Sequence, residues 1–199
     1  MVHLFKKVFV AGMLTLTVVS LGGCFNFGGT STDKTVVTDE KSRSITNTEF
    51  SVKLPREWDV IEPKDFTAIV PKETIMVFRN NIKNEDFTAN VNLVRNPLQQ
   101  TKETLEYAKE VINREQSSLY NFKEIKRDLA QIQIGDKKVD SYLITFEGKK
   151  TPEANTARFI QIMAVKGTNA YVMTGAYSLQ ETGANITAVE DILKSFALK

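Results

Sequence analysis

The chain has 199 residues, with 26 Lys and Arg against 24 Asp and Glu, a formal charge of +2, one histidine and one cysteine. A balance this close to neutral, with both signs interspersed, excludes the basic stripe that a nucleic-acid or anionic-surface binder needs. His3 and Cys24 both lie near the N-terminus, so the rest of the chain holds neither imidazole nor thiol. That excludes His/Cys zinc sites, Ser-His-Asp and Cys-His nucleophile systems, haem ligation, redox Cys-x-x-Cys pairs and disulfides.

The N-terminus reads as an address. Lys6 and Lys7 form a positive region, Val8 to Leu21 an apolar stretch, and Leu21-Gly22-Gly23-Cys24 the lipobox pattern of a bacterial lipoprotein. Residues 1–23 are therefore expected to be a lipoprotein signal peptide, and Cys24 the lipid-attachment residue, alkylated by a diacylglyceryl group and exposed as the new N-terminus. The apolar stretch, about 14 residues, is short for an uncleaved anchor, which wants roughly 20. Acyl chains contribute about 0.8 kcal/mol per buried methylene, and two or more hold a protein on a membrane stably. The expected location is the extracytoplasmic face of the cell membrane or outer membrane; Phe25 does not supply the aspartate that commonly signals inner-membrane retention. Removing Lys6 and Lys7 leaves 24 charges of each sign.

Residues 24–46 carry Gly, Ser, Thr and charge with little periodicity and read as a flexible tether, spanning about 25 Å as a random coil. Val36-Val37 is the pair within it that could begin a strand. Residues 47–199 read as one domain. At its start Phe50, Val52 and Leu54 alternate with Ser51 and Lys53 before Pro55 ends the run, which is a half-buried strand. Extended segments are expected over residues 66–70, 74–79 and 87–95, the last with Phe87, Ala89, Val91 and Leu93 on one face. From Thr101 to Leu119 there is no Gly or Pro, and Leu105, Ala108, Ile112 and Leu119 recur near one helical face, with Thr101 able to cap the helix. Residues 122–127 and 130–134 read as extended, and Gly135-Asp136 offers a type II′ turn into a strand over 137–147. Residues 158–166 and 169–177 are apolar on both faces and read as central strands, joined through Gly167-Thr168. Ile186, Val189, Ile192, Leu193 and Phe196 close the chain at helical spacing, with Thr187-Ala188-Val189-Glu190 as a capping box. Short turns between strands imply an antiparallel sheet, so the expected class is α+β.

The opening run Phe50-Ser-Val-Lys-Leu-Pro-Arg-Glu-Trp58, with this order of elements, resembles the PsbP-like superfamily, which includes photosystem PsbP proteins, Mog-type Ran-binding proteins and DcrB-type bacterial lipoproteins. The resemblance covers roughly residues 46–199. Leu54, Pro55 and Trp58 match its strand-Pro-turn-Trp signature, while Glu57 stands where a glycine is common. It implies a central antiparallel sheet of about six strands flanked by helices, an α/β/α sandwich, in a superfamily known for binding and assembly. It carries over no catalytic residue. A photosystem role has no histidine to draw on, and a nuclear Mog-type role is incompatible with export.

Trp58, with Glu57, Asp59, Glu62 and Asp65 around it, is the candidate partner-binding residue, because tryptophan is enriched at binding hot spots; the alternative is a core plug with solvated carboxylates. Neither Asn84-Glu85-Asp86 nor Glu181-Thr182 has calcium-loop spacing, and Gly28-Gly29 lacks the following Gly-Lys-Ser/Thr of a phosphate loop. No metal, cofactor or catalytic residue is expected. Phe122, Tyr142, Phe146, Phe159, Tyr171 and Tyr177 alternate at strand spacing as core. The expected function is a non-enzymatic lipoprotein, held on the membrane by Cys24, that binds or assembles another envelope protein and no nucleic acid. The alternative is a carrier or sensor of a small apolar ligand between sheet and helix.

Overall fold

The computed structural model describes residues 35–38, 41–66, 71–82 and 87–199. In chain order they form β1 (Thr35–Thr38), β2 (Ser42–Thr46), β3 (Phe50–Pro55), β4 (Trp58–Ile61), a 3-10 turn (Pro63–Asp65), β5 (Thr74–Asn80), β6 (Asn90–Pro97), α1 (Thr104–Ser118), β7 (Tyr120–Ile134), β8 (Lys137–Lys149), β9 (Ala157–Lys166), β10 (Asn169–Ser178), α2 (Gly183–Lys194) and β11 (Ala197–Leu198). The strands make one sheet in the order β1-β2-β3-β11-β7-β8-β9-β10-β6-β5-β4. Neighbours are antiparallel except β11, which runs parallel to β7.

This α+β domain differs from the expected sandwich of about six antiparallel strands. The described residues hold an 11-stranded mixed sheet. A sheet this wide accumulates enough twist to curl, and the chain itself brings the two ends together. β3 is third in the order and β4 last, yet only Arg56 and Glu57 separate them in sequence. Three Cα steps span at most about 11 Å, so the far edges of the sheet lie side by side. Arg43 of β2 reaches across that seam to the Trp58 carbonyl of β4. Beside it the Arg56 amide donates to the Lys41 carbonyl at 3.4 Å and the Asn81 amide to the Glu57 carbonyl at 3.0 Å.

Curling gives the sheet an inside and an outside. Phe50, Val52 and Leu54 from one end, Trp58, Met76 and Phe78 from the other, and Ile160, Ile162 and Met173 between them close around Val189, Ile192 and Leu193 of α2. On the other face, Tyr107, Ala108, Val111 and Ile112 of α1 cover Ile144, Phe146, Met163 and Val165. One helix lies on the inner face and the other on the outer face, which is why the two-sided apolar pattern of β9 and β10 is needed. The aromatic residues divide accordingly: Phe146 and Phe159 stack under α1 with ring centroids 5.2 Å apart, while Tyr171 and Tyr177 face α2.

Several local expectations shift. The sheet begins inside the segment read as a tether, because β1 and β2 pair as a hairpin and β2 pairs β3, burying Ile45. Residues 24–34 and 67–70 lie outside the described residues. Residues 122–134 are one strand, not two. Phe87 precedes β6 and packs on the α1 side, whereas Ala89, Val91 and Leu93 go inside. Helix α1 starts at Thr104, whose hydroxyl is spent on the Val165 amide at 3.1 Å, and Glu103 takes the cap position without a side-chain bond. Helix α2 starts a turn earlier than the capping box, with Thr182 accepting from the Asn185 amide. Both turns have the expected form: Gly135 and Gly167 sit at φ 57° and 59°, left-handed positions that glycine occupies without penalty.

Candidate protein-binding edge

Of the residues expected to carry function, Cys24 lies outside the described residues, as do residues 1–23, read above as a signal peptide. Trp58 is 0% exposed, packed in the inner core opposite Asn80. Its carboxylate neighbours stay outside: Glu57, Asp59 and Asp65 are exposed, Asp59 meets Arg79 at 3.3 Å and Glu62 meets Lys64 at 3.5 Å. Aromatic ring and charges are thus on opposite sides of the wall. Trp58 plugs the core and offers a partner no surface, which corrects the anchor reading.

The exposed feature is β7. It pairs with β8 along its length, but on its other side only Gln133 and Ile134 are paired, to Ala197 and Leu198 of β11. β11 is a two-residue wedge. Beyond it Ser195, at the end of α2, takes the place of a strand beside β3, its hydroxyl accepting from the Lys53 amide at 2.8 Å. β3 and β7 therefore diverge, and among the described residues no strand pairs the outer edge of residues 120–132. At about 3.3 Å per residue that edge is roughly 40 Å long.

Its side chains are organised. Ile125 is 41% and Leu129 65% exposed, and Tyr120 at the start of the strand is 51% exposed. Arg127 makes two bonds to Glu124, at 2.6 and 2.9 Å, and its guanidinium lies 5.3 Å from the Tyr142 ring centroid. Lys126 meets Asp128 at 2.7 Å, and that carboxylate holds the ammonium above its ordinary range. The charges of residues 124–128 are thereby neutralised by their neighbours, leaving Ile125 and Leu129 as the apolar features. Two register shifts, between Tyr120 and Lys123 and between Glu124 and Lys126, bulge the strand. Bulges and charge are how native edges resist indiscriminate pairing. Chemically, the edge can accept an extended polypeptide through backbone hydrogen bonds, with register set by the bulges.

No family model matches the chain, and no curated protein matches it. Among solved structures, the PsbP protein of the cyanobacterium Synechocystis (CyanoP) superimposes over 90% of this chain and 99% of its own, with a TM-score of 0.51 at 12% identity. The chain has a PsbP-like fold. PA94 from Pseudomonas aeruginosa, a protein of unknown function, covers 81% of the chain and 94% of its own at 12% identity, with a TM-score of 0.49. LpqN of Mycobacterium tuberculosis, described as involved in cell envelope biogenesis, covers 84% and 91% at 11% identity, also with a TM-score of 0.49.

In this PsbP-like domain the interface between α1 and the sheet is filled: Ala108 and Val111 are 0% and Ile112 3% exposed. A cavity of about 390 Å³ lies instead at the strand ends, lined by Phe87, Lys149, Asn155, Thr156, Ser178 and Leu179 among others. Deeper under α1 a polar row crosses three strands in register, Gln161, Thr174 and Asn92. Gln161 is 4% exposed and donates to Thr174 at 3.0 Å and to Glu115 of α1 at 3.4 Å. Burial pushes the Glu115 carboxyl above its ordinary range against that hydrogen bond, and pushes the nearby Lys150 ammonium down to about 8. Among the described residues no group of three or more His, Cys, Asp or Glu is placed to hold a metal, and no helix is long and apolar enough to cross a membrane.

The β7 edge escaped alternation analysis because its bulges break the period of two. The available signal was the density of charge around Ile125 and Leu129, unusual for a strand that packs on both faces.

Proposed function

We propose that the protein is a lipid-anchored cell-envelope factor whose PsbP-like domain binds an extended segment of another envelope protein along β7. The observation that carries this reading is the outer edge of residues 120–132, which no strand pairs among the described residues, with Ile125 and Leu129 exposed on it. Its occupant is a segment with apolar side chains and little charge, since the edge already neutralises its own ions. The lipobox supports the anchor. At about 3.5 Å per residue, the chain from Cys24 to β1 at Thr35 keeps the first strand within roughly 40 Å of the lipid. Confinement to the membrane raises the effective concentration of domain and partner without any new contact. The role is binding, not catalysis.

Two variants test the two halves of the proposal. Cys24→Ala should move the protein from the membrane to the soluble fraction; a correctly processed Cys24→Ala protein that stays on the membrane sinks the anchor. The double variant Ile125→Lys, Leu129→Lys should stay folded and anchored and lose its co-purifying envelope protein about tenfold or more. An unchanged yield of that protein would rule out the edge.

A further inference from the structure

Five arginines sit on the strands, and four of them have a carboxylate: Arg79 with Asp59, Arg95 with Glu49, Arg127 with Glu124 and Arg158 with Glu147. The fifth, Arg43 on β2, has none among the described residues. Its Nη2 donates to the Trp58 carbonyl across the seam, and its Nε is buried without an acceptor. Two more buried donors on the strands that meet at the seam lack acceptors, the indole Nε1 of Trp58 and the amide Nδ2 of Asn80. Trp58 is 0% and Asn80 1% exposed.

Register brings the three together. Trp58 and Asn80 are directly opposite on β4 and β5, which puts their Cβ atoms about 5 Å apart on one face. Arg43 stands opposite Leu54 of β3, an inner-core residue, so its side chain leaves β2 on the inner face as well. The Asn80 amide is oriented by its own turn, because Oδ1 accepts from the Ile82 amide at 2.9 Å. Flipping it would break that bond, so the group left over is a donor.

Among the described residues the seam therefore gathers three buried N–H donors that no acceptor meets, one of them on a permanent positive charge. A buried donor left unmade, and a charge left unpaired, each cost free energy. A water molecule accepts only two hydrogen bonds and carries no charge, so one water can neither satisfy all three donors nor neutralise the guanidinium. An ion with lone pairs only accepts from all three donors and neutralises the guanidinium. We infer that the seam binds a small monovalent anion, a halide or a carboxylate of formate size, held by Arg43 Nε, Trp58 Nε1 and Asn80 Nδ2. The anion ties β2 to β4 and β5 where the curled sheet closes.

The test uses the full-length protein in detergent. In sodium bromide, crystals should show an anomalous peak among Arg43, Trp58 and Asn80, and bromide should quench the fluorescence of Trp58, the single tryptophan, in a saturable way. Thermal unfolding at constant ionic strength, exchanging gluconate for bromide or formate, should give a midpoint that rises about 3–6 °C per tenfold increase above the dissociation constant. Arg43→Met should lose these effects. Asn80→Asp supplies a carboxylate within the chain, so its midpoint should be independent of bromide and match or exceed that of the bromide-saturated protein. The inference is overturned by an anion-independent midpoint in the unmodified protein with no anomalous peak, or by an Asn80→Asp variant less stable than the anion-free protein.

Discussion

Gly175 lies on the inner face of β10, opposite Ile160 of β9 and Val91 of β6, directly beneath α2. A methyl group there would sit 2.2 Å from Val189 Cγ1 and 3.3 Å from Leu193 Cδ1. Carbon atoms pack best at about 3.5–4.0 Å, so α2 or the strand must yield by more than an ångström. Val189 cannot simply rotate away, because a β-branched side chain in a helix has one strongly preferred rotamer. Overpacking of this kind costs about 3 kcal/mol, offset by about 0.5–1 kcal/mol from the stiffer unfolded chain. Gly175→Ala should therefore destabilise the domain by about 2 kcal/mol and lower the unfolding midpoint by about 4–8 °C. Val189→Ala alone removes fully buried methyl groups and costs about 2 kcal/mol. Together the two should cost little more than either, since the new methyl takes the space vacated, giving a coupling of about 2 kcal/mol. Urea unfolding of the four proteins, with slopes unchanged, measures this cycle. Additivity within about 0.5 kcal/mol would refute the close approach of α2 to β10.

Lys150 should titrate near 8 in the folded protein, read by NMR of labelled lysine; titration with the bulk lysines near 10.4 would contradict its burial. Its folded pKa is below the unfolded value, so the folded state binds fewer protons between about pH 8 and 10.4 and stability rises with pH across that window. Solvent screening at this half-buried site reduces the effect to about 1 kcal/mol, and Lys150→Met should abolish the rise and add about that much stability at pH 7. Glu115 works in the opposite direction: its raised pKa means stability falls as pH rises through it, and Glu115→Gln should remove that slope in acid. Trp58, wholly buried, should emit as an apolar indole and resist acrylamide quenching until the domain unfolds; a solvent-like emission maximum in the folded protein would put the ring outside the core.

Legibility in sequence followed how local each feature is. Phe50, Val52 and Leu54 alternate, Ala108, Val111 and Ile112 repeat at helical spacing, and the two glycine turns need only neighbouring residues, so β3, α1 and the hairpins could be read directly. β2, Ser-Arg-Ser-Ile-Thr, buries one apolar residue, and β11 is two residues long, so neither carries a period. β4 hides behind the Trp58-Asp59 pair, whose apolar and charged members invite the hot-spot reading that burial overturns. The curl is a property of strand order. It follows from Arg56 and Glu57 linking opposite ends of the sheet, and the turn itself does not encode that β3 pairs with β2 and β4 with β5. The β7 edge is non-local for the same reason, because it is free only where the wedge of Ala197 and Leu198 stops.

Site-specific photo-crosslinking in intact cells addresses partner binding along β7 most directly. A crosslinking residue at Leu129 or Ile125 of the full-length protein should capture one defined envelope protein, while the same residue at Lys166, on the exposed end of β9, captures none. Hydrogen exchange should then show the amides of residues 121–131 protected in the purified complex. Capture at Lys166 with none at Leu129 or Ile125, and no protection along β7, would contradict the account.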